Sequence, residues 1–525
     1  MNFIPIFFAI IIAATALTAS ADSVSTGMAK GSQQSTENST RNSYQQHCAQ
    51  CHGTQRLGAM GPALLPQNLS RLKKPAATDV IANGRVATQM PGFADQLSPE
   101  SIEQLVQYIY SAPGVSPNWD VPAIKDSHII HYKPEQLSDK PVFEADLQNL
   151  FIVVELGDHH ATLLDGDKFE PIHRFKTRYA VHGGPKYTRD GRYVYFASRD
   201  GWISKFDIYN LKTVAEIRAG INTRNLAVSY DGRYVAVGNY LPHNLVILDA
   251  KDLSPVKIIS TQGDNGATSR VSAVYTAPTR NSFIAALKDI PEVWEIPYGD
   301  VNKTKATPDF KPRRIKLDDY LDDFFFNQSY SQVIGAARPT DSGGKKSKIK
   351  GGLVIDLDSG EKVATLDLPG MPHLGSGITW RYQDRTILAS PNFSTGEVSV
   401  IDMESWETIK TIKTEGPGFF MRSHANSAYA WGDVFFGPNK DKMHVIDKKT
   451  LEIVKTLQPE PGKTSGHVEF TKDGRYALVS IWDIDGALVV YDAQTLEEIK
   501  RLPMNKPSGK YNVYNKTHYE EGTSH

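Results

Sequence analysis

Cysteine is nearly absent from this chain: 525 residues contain two, Cys48 and Cys51. That scarcity excludes a disulfide framework and a four-cysteine metal site. Neither sign of charge dominates, because 58 Lys and Arg face 59 Asp and Glu, a formal net charge of −1. Nucleic acid is therefore not an expected partner. After the first residues no stretch approaches the roughly 20 consecutive apolar residues of a membrane-spanning helix, so no span is expected in the mature chain. The apolar run that does exist, Phe3 to Ala14, leads into Ala19-Ser20-Ala21, a small-x-small cleavage pattern. Residues 1–21 read as a signal peptide. The run lacks Lys and Arg, which keeps a retained anchor as the competing reading.

The two cysteines stand three residues apart and are followed at once by His52. Cys-x-x-Cys-His is the attachment pattern of haem c, with two thioethers to Cys48 and Cys51 and an axial imidazole from His52. Zinc would want two further ligands and would leave His52 unexplained. An electron therefore enters or leaves through the N-terminal part. Met60 and Met90 are candidates for the second axial ligand. Met90 sits in the loop Thr88-Gln89-Met90-Pro91-Gly92-Phe93, from which a thioether can reach the open haem face, whereas Met60 follows His52 closely. An exported chain with covalent haem c points to a bacterial periplasm and a periplasmic redox partner.

Residues 22–40 are rich in Ser, Thr, Gln and Asn and poor in apolar residues, which reads as a flexible linker. Residues 41–115 read as a small all-α cytochrome c domain. Its first helix is expected over Tyr44–Cys51. The spacing of Ile102, Leu105, Val106, Ile109 and Tyr110 predicts an amphipathic helix over Pro99–Tyr110, started at Ser98. Pro113, Pro117 and Pro122 mark a stiff connection.

Over 125–525 the pattern changes to short β-rich runs and turns. An apolar pair followed by Asp ends at Asp165, Asp207, Asp249, Asp356, Asp402, Asp447 and Asp492. The spacing is in the forties except for one double gap, whose middle holds Val293-Trp294-Glu295-Ile296. Asp-Gly-Arg-Tyr, beginning at 190, 231 and 473, runs in phase with it. A period of about 40–50 residues with several short strands is a propeller signature. The count gives an all-β propeller of eight blades; two stacked sandwiches would not predict so regular a period.

A propeller gathers its binding residues from loops scattered along the chain. His182, His373, His424 and His467 each lie in such loops, His182 and His467 directly beside glycine, and glycine permits close approach of a planar ligand. Arg174, Arg178, Arg199, Arg224, Arg270, Arg422 and Lys186 lie in comparable loops. Cations and imidazoles around one channel mouth suit a metal-containing polycarboxylate. Surface arginines and turn histidines are the plainer reading of any single one.

A Cys-x-x-Cys-His domain ahead of an eight-bladed propeller resembles the cytochrome cd1 family. So do Tyr179-Ala180-Val181-His182, Ser269-Arg270-Val271, Met371-Pro372-His373-Leu374-Gly375-Ser376-Gly377 and the stretch Lys506 to Asn515. The resemblance implies a propeller that binds haem d1. The family includes a nitrite reductase, a dehydrogenase of haem d1 biosynthesis, and a haem d1-binding protein without the cytochrome domain. Of the reductase's two distal histidines, one matches His373. The other falls in Asn327–Gln332, where there is no His and alignment puts Tyr330. The stretch from His182 to Trp202 is similar to the biosynthetic members. The resemblance thus implies a periplasmic dehydrogenase that converts dihydro-haem d1 to haem d1, a propionate becoming an acrylate, with electrons passing to haem c. Nitrite reduction and a non-catalytic haem d1 carrier are the alternatives. By the same resemblance His182 is the proximal iron ligand and His373 the distal one. His467 and Tyr511 are candidates for base and proton relay, and Lys186, Arg199, Arg224 and Arg270 would hold carboxylates. A cytochrome cd1 nitrite reductase is an expected recipient of the product.

Overall fold

The structure is a computed structural model and describes residues 25–70, 72–85, 90–114, 117–299, 308–337 and 349–518. The expected signal peptide, 1–21, lies outside them. The N-terminal unit is helical: α1 (Ser25–His47), α2 (Ala49–His52), α3 (Pro66–Leu69), α4 (Lys74–Asn83) and α5 (Pro99–Tyr110). The helix predicted from apolar spacing coincides with α5. Its Ser98 hydroxyl accepts the Ser101 N–H at 3.2 Å and caps the first turn. Its apolar stripe buries Ile102, Leu105, Val106 and Ile109 against Tyr44, Ala77, Ile81 and Phe93.

The linker expected over 22–40 is corrected from Ser25 onward, because α1 runs unbroken from Ser25 to His47. A helix already nucleated by packing extends outward at little cost. The nucleus is at hand: Tyr44 and Thr40 are buried, and Thr40 donates to the Gln104 side chain of α5 at 3.3 Å.

The rest of the chain forms eight sheets, each antiparallel and most of four strands. Blade 1 draws its innermost strand, Pro507–Asn512, from the C-terminus and its other three from Leu150–Glu155, His160–Asp165 and Glu170–Lys176. Pairing of Ile152 with Tyr511 and Val153 with Lys510 closes the ring. Blades 2 to 8 begin with innermost strands at Lys186, Asn222, Val271, Leu321, Ile378, Met421 and Ser465. Blade 2 gains a fifth strand, Ile129–Ile130, on its outer edge.

The repeated Asp ends the third strand of seven blades. At Asp356, Asp402, Asp447 and Asp492 its carboxylate accepts backbone N–H groups two and three residues on, as from Asp358 and Ser359. This is the physical reason for the repeat: a short acceptor shapes each outer hairpin. Blade 4, the one inside the double gap, lacks the Asp and has Glu292–Pro297 as its third strand. Asp-Gly-Arg-Tyr forms the turn from first to second strand in blades 2, 3 and 8, with Gly191, Gly232 and Gly474 at positive φ.

The connection is part of the propeller. Asp120 caps a short helix, α6 (Val121–Asp126), with Pro122 in its first turn, and Ile124 is fully buried among blades 2 and 3. No helix among the described residues is long and apolar enough to cross a membrane.

Candidate functional site

In the N-terminal unit Cys48 and Cys51 form no disulfide and stand half-buried at the junction of α1 and α2. His52 is buried, and its Nδ1 bonds the Pro62 carbonyl at 2.8 Å. Nδ1–H is thereby the donor, and Nε2 keeps its lone pair for a metal. A Cβ at Gly61 would come within 2.8 Å of the His52 ring, so the loop lies flat on the imidazole. Two adjacent thiols and a tethered imidazole fit a covalent haem. Met90 packs against the core of this unit, whereas Met60 is 67 % exposed.

In an antiparallel blade, the loop entering the first strand and the second-to-third hairpin lie at one end. The other two hairpins lie at the opposite end. His182 enters blade 2 and His373 enters blade 6. His182 Nδ1 bonds the Arg224 carbonyl of blade 3 at 2.7 Å. His373 Nδ1 bonds the Phe419 carbonyl ahead of blade 7 at 2.6 Å. In both, the carbonyl fixes the Nδ1–H tautomer and gives Nε2 a lone pair. The Nε2 of His182 accepts Arg224 Nη1 at 2.8 Å, and a metal there requires that guanidinium to move. Burial holds the His373 imidazole below its ordinary pKa.

His467 and Tyr511 meet in the same mouth, their rings 5.1 Å apart. His467 has φ +53°, a strained conformation for a non-glycine residue. Burial, then Lys510, Arg422 and Lys516, push its imidazole well below the usual range. Tyr511 is cradled by glycines: a Cβ at Gly184 would lie 2.9 Å from its ring, and one at Gly509 2.2 Å from its hydroxyl. Burial raises its phenol.

The expected cations divide. Lys186, Arg199, Arg224 and Arg270 lie at the mouth. Lys186 lies 5.7 Å from the Tyr275 ring centre, and burial lowers it to about 8. Arg224 donates Nε to the Ser272 carbonyl at 3.0 Å, and Arg270 pairs with Asp289 at 2.6 Å. Arg199 sits on the second-to-third hairpin of blade 2, its N–H on the Ala180 carbonyl. Arg174 stands apart, on the outermost strand of blade 1, bound to Glu155 and Asp158. Arg178 is likewise held outside the channel by Glu216.

Two further expectations are corrected. Tyr330 lies in the first-to-second-strand turn of blade 5, at the far end, against Phe326. At the mouth, blade 5 instead offers Asp322 and Asp323, the latter accepting the Tyr275 hydroxyl at 3.0 Å. His424 occupies the corresponding turn of blade 7, buried beside Phe470. Alignment without strand positions cannot distinguish the two ends of a blade.

The mouth also carries an aromatic wall. Phe393, Phe419, Phe420, Phe435 and Trp482 form a continuous series of ring contacts, joined by His373 and His467. The paired aromatics Phe419-Phe420 and Phe435-Phe436, each flanked by Gly-Pro or Pro-Gly, were the available signal. Beneath the wall Asp433 accepts the N–H groups of Phe419, Phe420 and His467. Burial raises its carboxyl to about 7. Deeper still, Arg422 and Glu469 form a fully buried pair at 2.9 Å.

An apolar wall, two opposed imidazoles and a cationic rim can hold a flat, metal-bearing acid. Residues 145–516 match the family model for the cytochrome D1 heme domain. The chain belongs to the cytochrome D1 heme domain family. Residues 36–109 match the model for the cbb3-type cytochrome c oxidase subunit III, which supports covalent haem c in the helical unit. Among relatives of this D1 chain, the dihydro-heme d1 dehydrogenase of Pseudomonas aeruginosa is 58 % identical over 482 residues, 92 % of this chain and 95 % of that protein. The nitrite reductase of Stutzerimonas stutzeri is 26 % identical over 535 residues, 90 % and 91 % of the two chains. The solved structure of dihydro-heme d1 dehydrogenase NirN in complex with DHE superposes with a TM-score of 0.87 at 57 % identity, covering 91 % of this chain and 99 % of that one.

Proposed function

We propose that this chain is an exported dehydrogenase of dihydro-haem d1. Two C–H bonds of one propionate break, one C=C bond forms, and two protons and two electrons leave. The observation that carries the reading is the pair His182 and His373, each with Nδ1 tied to a carbonyl so that Nε2 carries the lone pair, that of His182 now accepting the Arg224 guanidinium. Near-full-length similarity to a dihydro-heme d1 dehydrogenase supports it.

Cys48, Cys51, His52 and Met90 would hold haem c, which would supply one-electron acceptance when bound. The other roles belong to side chains. His182 holds the substrate iron from the proximal side and His373 from the distal side. Lys186, Arg199, Arg224 and Arg270 orient the carboxylates. The aromatic wall excludes water from the macrocycle face. His467 and Tyr511, adjacent and buried, take and relay the protons. Arg174 has no part in this site. The protein acts in the periplasm, gives its electrons to a redox partner there, and its product serves a cytochrome cd1 nitrite reductase.

Incubating the purified holoprotein with dihydro-haem d1 and a one-electron oxidant, without oxygen, tests the reading. The tetrapyrrole should lose two hydrogens by mass and acquire the absorption of haem d1. Recovery of unchanged dihydro-haem d1 overturns it. Blade 5 presents Asp322 and Asp323 at the mouth rather than a second distal histidine, so nitrite should be turned over negligibly.

A further inference from the structure

We propose that Arg218 is a positioning residue that clamps the haem-bearing helical unit over the propeller mouth. Its consequence for rate rests on the dehydrogenase reading; the clamp itself does not.

Arg218 ends the outer strand of blade 2 and is 4 % exposed. Its Nε donates to the Asp200 carbonyl at 2.8 Å, within the propeller. Its Nη1 and Nη2 reach the other unit, at the carbonyls of Gly58 (3.4 Å) and Leu57. Trp119 covers the guanidinium at 4.7 Å and donates its indole N–H back to the Arg218 carbonyl at 2.8 Å.

Both ends of this bridge adjoin candidate metal ligands. Gly58 N–H donates to the His52 carbonyl at 2.9 Å, in the loop whose Pro62 carbonyl tethers the imidazole. The Asp200 hairpin also carries Ser198, which bridges Val181 beside His182. One guanidinium therefore ties the loop that sets His52 to the hairpin that abuts His182. Around it the contact is small and mixed. Ala63, Leu65 and Ile221 pack together, and Asn68 donates to the Ile221 carbonyl at 3.1 Å.

Burying a guanidinium is costly, and a buried cation is better evidence for a specified arrangement than for stability. The planar fork of Arg reaches carbonyls on two units at once, with its donors pre-organised in one plane. Electron transfer needs the two units in one register. Each turnover delivers two electrons singly to ferric haem c, which a soluble one-electron acceptor reoxidises.

The test uses the full-length holoprotein and Arg218→Met. Reduction of haem c by bound dihydro-haem d1, followed by stopped flow, should slow by ~10-fold or more, the scale of a small misplacement. Dihydro-haem d1 affinity and the haem c potential should stay as in wild type. Protease should cut the connection around residues 111–120 faster. Ile221→Ser, which strips the apolar part of the same contact, should shift both readouts in the same direction and decides the matter if Arg218→Met does not fold. Wild-type haem c reduction together with wild-type protease resistance overturns the clamp. Should the wild-type protein fail to oxidise dihydro-haem d1, the protease comparison alone decides it.

Discussion

His182 and His373 occupy the same position on blades 2 and 6, four blades apart in a ring of eight, and so face each other across the channel. Each main-chain N–H bonds the second strand of its own blade, to Ala197 and Pro391 respectively. Each Nδ1 bonds a carbonyl of the next blade. The site is thus built by the propeller's internal repeat: a structural hydrogen bond, used twice, sets two imidazoles in the same tautomer on opposite sides of the channel. His182→Ala should weaken tetrapyrrole binding and change its absorption, leaving the haem c spectrum intact. Binding titrations followed by absorbance check this, and wild-type tetrapyrrole spectra would assign the proximal ligand elsewhere.

Lys186 gives a pH dependence with a defined sign. Burial lowers its ammonium to about 8, so the charged form that pairs with a carboxylate is present below that value and lost above it. The KM for dihydro-haem d1 should rise as pH passes about 8. Lys186→Arg, charged throughout, should abolish the rise.

The glycine cradle of Tyr511 can be tested by adding one methyl group. Gly509→Ala would place a Cβ 2.2 Å from the present position of the hydroxyl, which must move. The variant should bind dihydro-haem d1 and lose turnover as Tyr511→Phe does. His467→Ala should also bind and should turn over at least ~10²-fold more slowly, the usual scale for a lost proton acceptor. Wild-type kcat in all three would remove both residues from the reaction.

Asp433 predicts a stability slope. Its carboxyl is raised from 3.8 to about 7 in the folded protein. Between those values the folded state holds a proton that the unfolded state has released, so stability falls as pH rises through this window. In Asp433→Asn this contribution should vanish. Urea midpoints compared across the window in both proteins measure it; equal slopes would contradict the assignment.

Much of this was readable in the sequence, for physical reasons. Cys48, Cys51 and His52 are contiguous, so their chemistry needs no tertiary information. The blade count followed from Asp165 to Asp492 because each such Asp recurs at the same strand end. What was not readable depends on which end of a blade a loop reaches. His424 and Tyr330 lie beside turn-forming residues as His373 does, yet occupy the opposite end. Arg174 lies close in sequence to the mouth residues but sits on an outer strand, satisfied by Glu155. The contact of Arg218 with Leu57 joins residues 161 apart in sequence, and no local pattern announces it.

A single anaerobic turnover tests the central claim most directly. Holoprotein with ferric haem c, in at least twofold excess, is mixed with dihydro-haem d1, and haem c reduction and tetrapyrrole absorption are followed together, with nitrite offered in a parallel run to the reduced protein. The account predicts that haem c is reduced as haem d1 appears, two haem c equivalents for each substrate oxidised, and that nitrite is left unconsumed. Haem c that stays oxidised beside unchanged dihydro-haem d1, with nitrite briskly reduced, would contradict it.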